Sequence, residues 1–340
     1  VGVCCPSPDW VERCLGGSKA GRGTEFVPGG FAAGTDEQLG RFTDRWTQRY
    51  IHDELNDCQE KSARFTYLFR RLCQQVRQVV ADMAHELRAG DFVPLDFELN
   101  FADPEQIAPI TLSDGEVTLN MSGVADRVDG WLHDGKLYLR VVDYKTGRKA
   151  FSLSEGWCGM GLQMLLYLFT LEKHGAERYG KEIVPAGVLY VPAHAILVRA
   201  DQRLSDEEIV AEKARKLHRS GLILSETEVV EAMEHGEALQ FLPLYRGKRA
   251  AEALATAEQL GKLSRFLEET LSNMAGELRG GSIAADRGEE NDRANTGRTC
   301  DYCDACRCSE TADGWRFKTK FKAPEFWEKL ENGEEETACP

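Results

Sequence analysis

Nothing in this 340-residue sequence approaches the run of ~18 apolar residues that a membrane-spanning helix needs. The longest apolar stretch, around Met164 to Leu171, is far too short. A signal peptide is also lacking, because no basic segment followed by an apolar one opens the chain. Both absences lead us to expect a cytoplasmic protein with no membrane partner. There is no Gly-x₄-Gly-Lys-[Ser/Thr] phosphate loop: Gly261-Lys262 runs into Leu263 within a helical segment. Positive charge is scarce, with 42 Lys and Arg against 56 Asp and Glu, a net charge of −14. That balance excludes a uniformly basic coat for nucleic acid and confines any such contact to a local groove. His52, His85, His174, His194, His218 and His235 are scattered, with no Ser-His-Asp or Cys-His arrangement around them. The chain begins at Val1 rather than Met, which suggests a piece of a longer polypeptide.

Hydrophobic residues make up 42% and charged residues 29%, as in a soluble globular protein. Residues 1–35 are Gly-rich and without a period. Helices are expected from Asp36 to about Asp57 and from Gln59 to about Ala89. In the second, Phe65, Leu68, Phe69, Leu72, Val76, Val79, Val80, Met83 and Leu87 recur at helical spacing, as a core-facing stripe does. From Phe92 the period becomes two, with Val93, Leu95, Phe97, Leu99 and Phe101 on alternate positions of a strand. Strands are expected at 116–132, 136–145 and Val184–Val191. Helices are expected at about 157–174, from Ser205 (a capping box with Glu208) to about Ser220, and from Ala250 to Arg279. Residues 280–299 read as a loop. This order implies an α/β fold, a mixed central sheet flanked by helices. The expected divisions are an irregular 1–35, a helical 36–90, a core at 91–310 and a tail at 311–340.

The Asp134-Gly135 dipeptide is a two-residue hairpin signal between two strands. Counting outward, His133 faces Lys136, Trp131 faces Tyr138, and Asp126 faces Asp143. Directly opposed side chains lie ~5 Å apart on one face, and Lys145 shares that face with Asp143. Two opposed carboxylates repel and weaken a sheet. A divalent cation between them removes the conflict, and hard oxygen ligands suit Mg²⁺. Such an ion would activate water at a phosphate, with Lys145 stabilising the developing charge.

These residues resemble a known family. Gly123-Val124-Ala125-Asp126, followed by Val141-Val142-Asp143-Tyr144-Lys145-Thr146-Gly147, looks like the acid and acid–lysine motifs of the RecB-type PD-(D/E)XK nucleases. Gln163-Met164-Leu165-Leu166-Tyr167 resembles their Gln-x-x-x-Tyr helix, Gln163 and Tyr167 projecting from one face. The resemblance extends over roughly 36–330 to the C-terminal region of AddB-type subunits of bacterial AddAB helicase–nucleases. The strand Val184 to Pro192, the helix Glu228 to Gly236 and the tail Glu325-Phe326-Trp327-Glu328 contribute to it. It implies a restriction-endonuclease-like fold and Mg²⁺-dependent, exonuclease-type cleavage of single-stranded DNA. It also implies DNA end processing for recombinational repair, an AddA-like helicase–nuclease partner, and a catalytic set of Asp126, Asp143, Lys145, Gln163 and Tyr167.

The cysteines, 11 in all, are unevenly placed. Cys4, Cys5 and Cys14 lie at one end; Cys300, Cys303, Cys306 and Cys308 lie at the other. Without a secretory signal, such clusters read as zinc or iron–sulfur ligands rather than disulfides. The family resemblance implies a 4Fe-4S cluster joining one N-terminal cysteine to a C-terminal Cys-x₂-Cys-x₅-Cys. Cys5, Cys300, Cys303 and Cys308 come nearest, with Cys306 a rival and Cys4 or Cys14 alternatives to Cys5. The spacing departs from the family, since a five-residue gap after Cys303 lands on Ser309. The histidine that follows a Gly-Thr-Phe-Val-like segment in the family is also missing: Gly23-Thr24-Glu25-Phe26-Val27 leads into Pro28. Two readings follow, a metal-dependent nuclease and a non-catalytic DNA-end-binding scaffold of the same fold.

Overall fold

A computed structural model describes residues 34–56, 61–108, 110–113, 118–147, 150–194, 196, 198, 201, 203–236, 239–244, 252–282, 287–290, 294–295, 315–317 and 321–332. Two helices come first, α1 (Asp36–Leu55) and α2 (Ala63–Arg88). Thr35 and Ser62 cap them by accepting hydrogen bonds from Gln38 and Phe65 backbone amides. There follow β1 (Val93–Asn100), β2 (Ile110–Ser113), β3 (Thr118–Met121), β4 (Val124–His133), β5 (Lys136–Lys145), α3 (Leu153–Trp157), α4 (Gln163–Tyr179) and β6 (Glu182–Pro192). Then come α5 (Asp206–Lys216), β7 (Ser220–Leu224), α6 (Thr227–Met233), β8 (Leu254–Ala255), α7 (Ala257–Arg279), β9 (Arg287–Glu290), β10 (Ala294–Asn295), β11 (Trp315–Phe317) and α8 (Ala323–Asn332).

The central sheet has the order β1-β4-β5-β6-β7-β8. It is mixed: β1, β4 and β5 run antiparallel, β5 and β6 are parallel, β6 and β7 antiparallel, β7 and β8 parallel. The parallel step needs a crossover, and α4 supplies it. Helices cover both faces of β4 and β5, so these strands are buried almost without alternation, charged residues included. The expected α/β mixed sheet flanked by helices is the fold observed.

Several boundaries differ from the sequence expectation. The helix expected at 157–174 is two helices, because Gly159 and Gly161 adopt φ of 71° and 68° and break the chain before Gln163. The strand expected at 116–132 divides into β3 and β4. The helix from Ser205 stops at Lys216, and Ser220 opens a strand, β7. The helix expected from Ala250 starts at Ala257, where Thr256 forms a capping box with Gln259. Residues 287–290 and 294–295 of the expected loop form short strands. Cys4, Cys5, Cys14, Cys300, Cys303, Cys306 and Cys308 lie outside the described residues. So do Gly23 to Pro28.

The layer formed by α2 is held by charge as well as by apolar contact. Val80, Met83, Ala84 and Leu87 bury against Leu39 of α1 and Tyr144 of β5. Beside them Glu86 of α2, 2% exposed, meets three buried arginines. Arg127 of β4 and Arg140 of β5 each lie 3.0 Å from Glu86 Oε1, and Arg219, just before β7, lies 2.7 Å from Oε2. Asp129 pairs with Arg127 and Arg140 at 2.9 and 2.8 Å, and Asp82 pairs with Arg219 at 2.7 Å. Three acids therefore balance three guanidinium groups in the buried interior. Burial alone would raise the Glu86 carboxyl, but Arg127, Arg219 and Arg140 hold it well below the usual carboxylate range.

Removing one partner from such a cluster leaves an uncompensated buried charge. Glu86→Gln keeps the shape and removes the charge. It should destabilise the chain by about 3–5 kcal/mol, read as a lowered urea midpoint with an unchanged slope. A parental midpoint would show that the arginines find other partners.

Candidate active site

The site begins with the hairpin turn. Asp134 and Gly135 have φ of 49° and 81°, the left-handed pair of a two-residue hairpin. The register is the one counted from the sequence, with His133 opposite Lys136 and Trp131 opposite Tyr138, continuing to Arg127 opposite Val142. One step further are Asp126 and Asp143. There the ladder gives way to a side-chain bond: the Tyr144 backbone N–H donates to Asp126 Oδ2 at 2.7 Å.

Alternation sorts the two faces. Arg127, Asp129, Arg140 and Tyr144 point toward α2, so Asp126 and Asp143 point to the opposite face, where α4 packs. Asp143 is buried, and Lys145 Nζ lies 2.6 Å from its Oδ2. That oxygen is buried and makes no hydrogen bond of good geometry, so it keeps a lone pair open. The same ammonium lies 5.3 Å over the Tyr190 ring.

Gln163 and Tyr167 are brought together as expected. The Gln163 Nε2 amide donates to the Tyr167 hydroxyl at 2.7 Å, and the Tyr167 ring stacks on Phe101 with centroids 4.5 Å apart. Tyr167 reaches the acid strand through Gly123, where a Cβ would lie 1.9 Å from its hydroxyl oxygen. Only glycine permits that approach. Burial, reinforced by the Asp143 and Asp126 charges, pushes the Tyr167 hydroxyl up and keeps it a neutral donor.

Tyr190 was missed by the sequence reading. It pairs with Asp143 across the parallel β5–β6 ladder. A register shift between Leu139 and Arg140, opposite Pro185 and Gly187, sets that pairing. Burial, then the Asp143 charge, pushes the Tyr190 hydroxyl up to about 12. Its strand was legible as a buried type, but the bulge that aligns it was not.

Burial also pushes the Asp126 carboxyl up to about 6, with the Asp143 charge adding to it, against the lowering bond from Tyr144 N–H and the charge of Lys145. Two carboxylates, that of Asp143 buried and paired with Lys145, form a donor set that suits a hard divalent cation such as Mg²⁺. Among the described residues no group of three or more His, Cys, Asp or Glu is placed to hold a metal.

A family model described as the PD-(D/E)XK nuclease superfamily matches residues 29–308. The chain belongs to this superfamily. Among curated relatives is the B-type subunit of the ATP-dependent helicase/deoxyribonuclease of Acetivibrio thermocellus. It is 28% identical over 313 residues, covering 86% of this chain and 27% of that protein. The protein of the same name from Clostridium botulinum is 30% identical over 268 residues, covering 75% of this chain and 23% of its own length. That of a Thermoanaerobacter species is 27% identical over 285 residues, covering 80% and 24%. The chain thus spans about a quarter of the length of the relatives it matches. Among the described residues no helix is long and apolar enough to cross a membrane.

The raised Asp126 carboxyl sets a stability trend for the metal-free chain. Between pH ~4 and ~6 the folded state holds this proton more tightly than the unfolded state, so stability falls as pH rises through that window. In EDTA, Asp126→Asn should therefore be more stable than the parent at pH 7 by about 2 kcal/mol, a two-unit shift discounted for partial exposure. The difference should shrink toward zero near pH 4. Urea unfolding at both pH values checks it. An Asn variant weaker than the parent at pH 7 would show that the Asp126 charge is stabilising.

Proposed function

We propose that this chain is the nuclease domain of a helicase–nuclease subunit, hydrolysing phosphodiester bonds of single-stranded DNA with a divalent metal, preferably Mg²⁺. The observation that carries the reading is the placement of Asp126 and Asp143 one step beyond the last paired residues of a two-stranded ladder, with Lys145 on Asp143. The relatives' names, which describe a helicase/deoxyribonuclease, support the same assignment. The word subunit in those names supports a partner chain; an AddA-like helicase partner and a role in DNA end processing are proposed on the motif resemblance alone.

Asp126 and Asp143 would hold the metal. When bound, the ion supplies a lowered water pKa and a charge that polarises the phosphate. Lys145, already 2.6 Å from Asp143, is positioned to neutralise charge developing on a phosphate oxygen. Gln163 lies at the exposed start of α4 and, with Tyr167, offers hydrogen-bond donors toward a bound strand. Pro28, following Gly23-Thr24-Glu25-Phe26-Val27 where the resembling family carries a histidine, favours a second reading, a DNA-end-binding scaffold without chemistry.

Asp126→Ala, Asp143→Ala and Lys145→Ala should each reduce Mg²⁺-dependent cleavage of a single-stranded oligonucleotide at least a hundredfold, with a native circular-dichroism spectrum retained. Blunt duplex should resist the purified chain with or without ATP. Parental cleavage by Asp143→Ala would remove the site assignment. Parental DNA binding with no cleavage by any protein, the unsubstituted chain included, would select the scaffold.

A further inference from the structure

Helix α2 is longer than the sheet it covers. Its C-terminal half grips the sheet through Asp82 and Glu86. Further back, the Gln75 side-chain amide donates to the Ala193 carbonyl at 2.9 Å, and the Ala193 N–H donates to the Lys145 carbonyl at 2.8 Å. Gln75 therefore marks the catalytic end of the sheet, and the part of α2 before it overhangs that end. At 1.5 Å per residue, Arg64 lies roughly 16 Å beyond Gln75.

The overhang presents one particular face. Gln75, Asp82 and Glu86 follow Arg64 by 11, 18 and 22 residues, each close to a whole number of helical turns. Arg64, Leu68 and Arg71, with Tyr67 beside them, therefore prolong the stripe that further along holds the sheet. The seam with α1 uses another side, lined by Trp46, Tyr50, Phe69, Leu72 and Val76. The prolonged stripe is left exposed, with Tyr67 61% and Leu68 47% accessible.

Its charge is opposite to that of the chain. From Ala63 to Ala81 the helix carries Arg64, Arg70, Arg71 and Arg77 and no Asp or Glu, in a protein of net charge −14. Arg77 pairs with Asp44 of α1; Arg64, Arg70 and Arg71 are exposed. Arginines on phosphates with an aromatic ring for base stacking form the usual platform for a single strand.

We infer that Arg64, Tyr67, Leu68 and Arg71 form a docking surface for single-stranded DNA, which guides the strand along the overhang to the catalytic end of the sheet. This rests on the nuclease reading above and adds the route by which substrate arrives. In a chain of net charge −14, binding concentrates where positive charge is local, as on this stripe beside the catalytic end of the sheet.

The test uses the 340-residue chain in EDTA with a fluorescein-labelled 20-nucleotide oligo(dT), titrated by anisotropy at several salt concentrations. Arg64→Ala/Arg71→Ala should weaken binding at least fivefold and reduce the slope of log Kd against log salt by about 1.4, at ~0.7 per lost phosphate contact. Tyr67→Ala should weaken binding with the slope unchanged, because stacking is not ionic. Lys181→Ala/Lys213→Ala removes the same charge elsewhere and should stay within twofold of the parent. Parental affinity and slope in Arg64→Ala/Arg71→Ala would overturn the docking surface. So would a parent chain that does not bind the oligonucleotide, which would give the stripe to a protein neighbour. Cleavage by Asp143→Ala is measured alongside. Its loss, with parental binding by the arginine variant, would leave the nuclease reading standing and remove only the route.

Discussion

The buried ion cluster around Glu86 is the constraint from which the site follows. Arg127 and Arg140 belong to the two strands that carry the acids, and both must turn toward α2 to meet Glu86. In a pleated strand, that choice sends the neighbouring Asp126 and the odd-numbered positions of β5 to the other face. A slip of one residue in either strand would turn that strand's carboxylate, Asp126 or Asp143, toward α2 and leave its arginine, Arg127 or Arg140, among apolar helices. An apolar cluster of equal volume would hold the layers as firmly, and often more so. It would not discriminate between registers so sharply, since Val and Leu are accepted on both faces of this sheet.

The acid pair works against the fold. Asp126 and Asp143 repel, and burial raises the Asp126 carboxyl to about 6. A structural sheet would place Thr or Val at these positions. Local rules broken at one end of a strand, while every other level of the fold agrees, are the signature of a site kept for chemistry. The penalty is contained because it falls at the end of the ladder, after Arg127 and Val142 have made the last paired step.

How much of this was legible in the sequence depends on the range of the interaction. The Asp134-Gly135 turn is local, and counting from it gave the register of β4 on β5 as far as Arg127 opposite Val142. The Gln163–Tyr167 pair is local too, being one helical turn. Glu86 was not legible as a ligand of three arginines, because it lies 41 residues from Arg127 and 133 from Arg219. A charged residue on an amphipathic helix reads as solvated unless its partner is known to be buried. The strand β7 was hidden for a similar reason. Ser220 to Leu224 is too short to show a period, and its β character comes from pairing with β6.

Tyr144 joins the two halves of the molecule. Its hydroxyl receives the Arg127 Nη1 hydrogen bond at 2.6 Å on the α2 side, while its backbone N–H donates to Asp126 on the other side. Burial holds the phenol well above its ordinary pKa, so it stays neutral and its oxygen remains an acceptor for Arg127. The side chain is fixed by the ion cluster, and the amide of the same residue aims the carboxylate. A displacement of α2 would therefore reach Asp126 through one residue and two hydrogen bonds. In the proposed reading, the helix that overhangs this end of the sheet also sets the direction of Asp126, so substrate approach and acid placement share a single element.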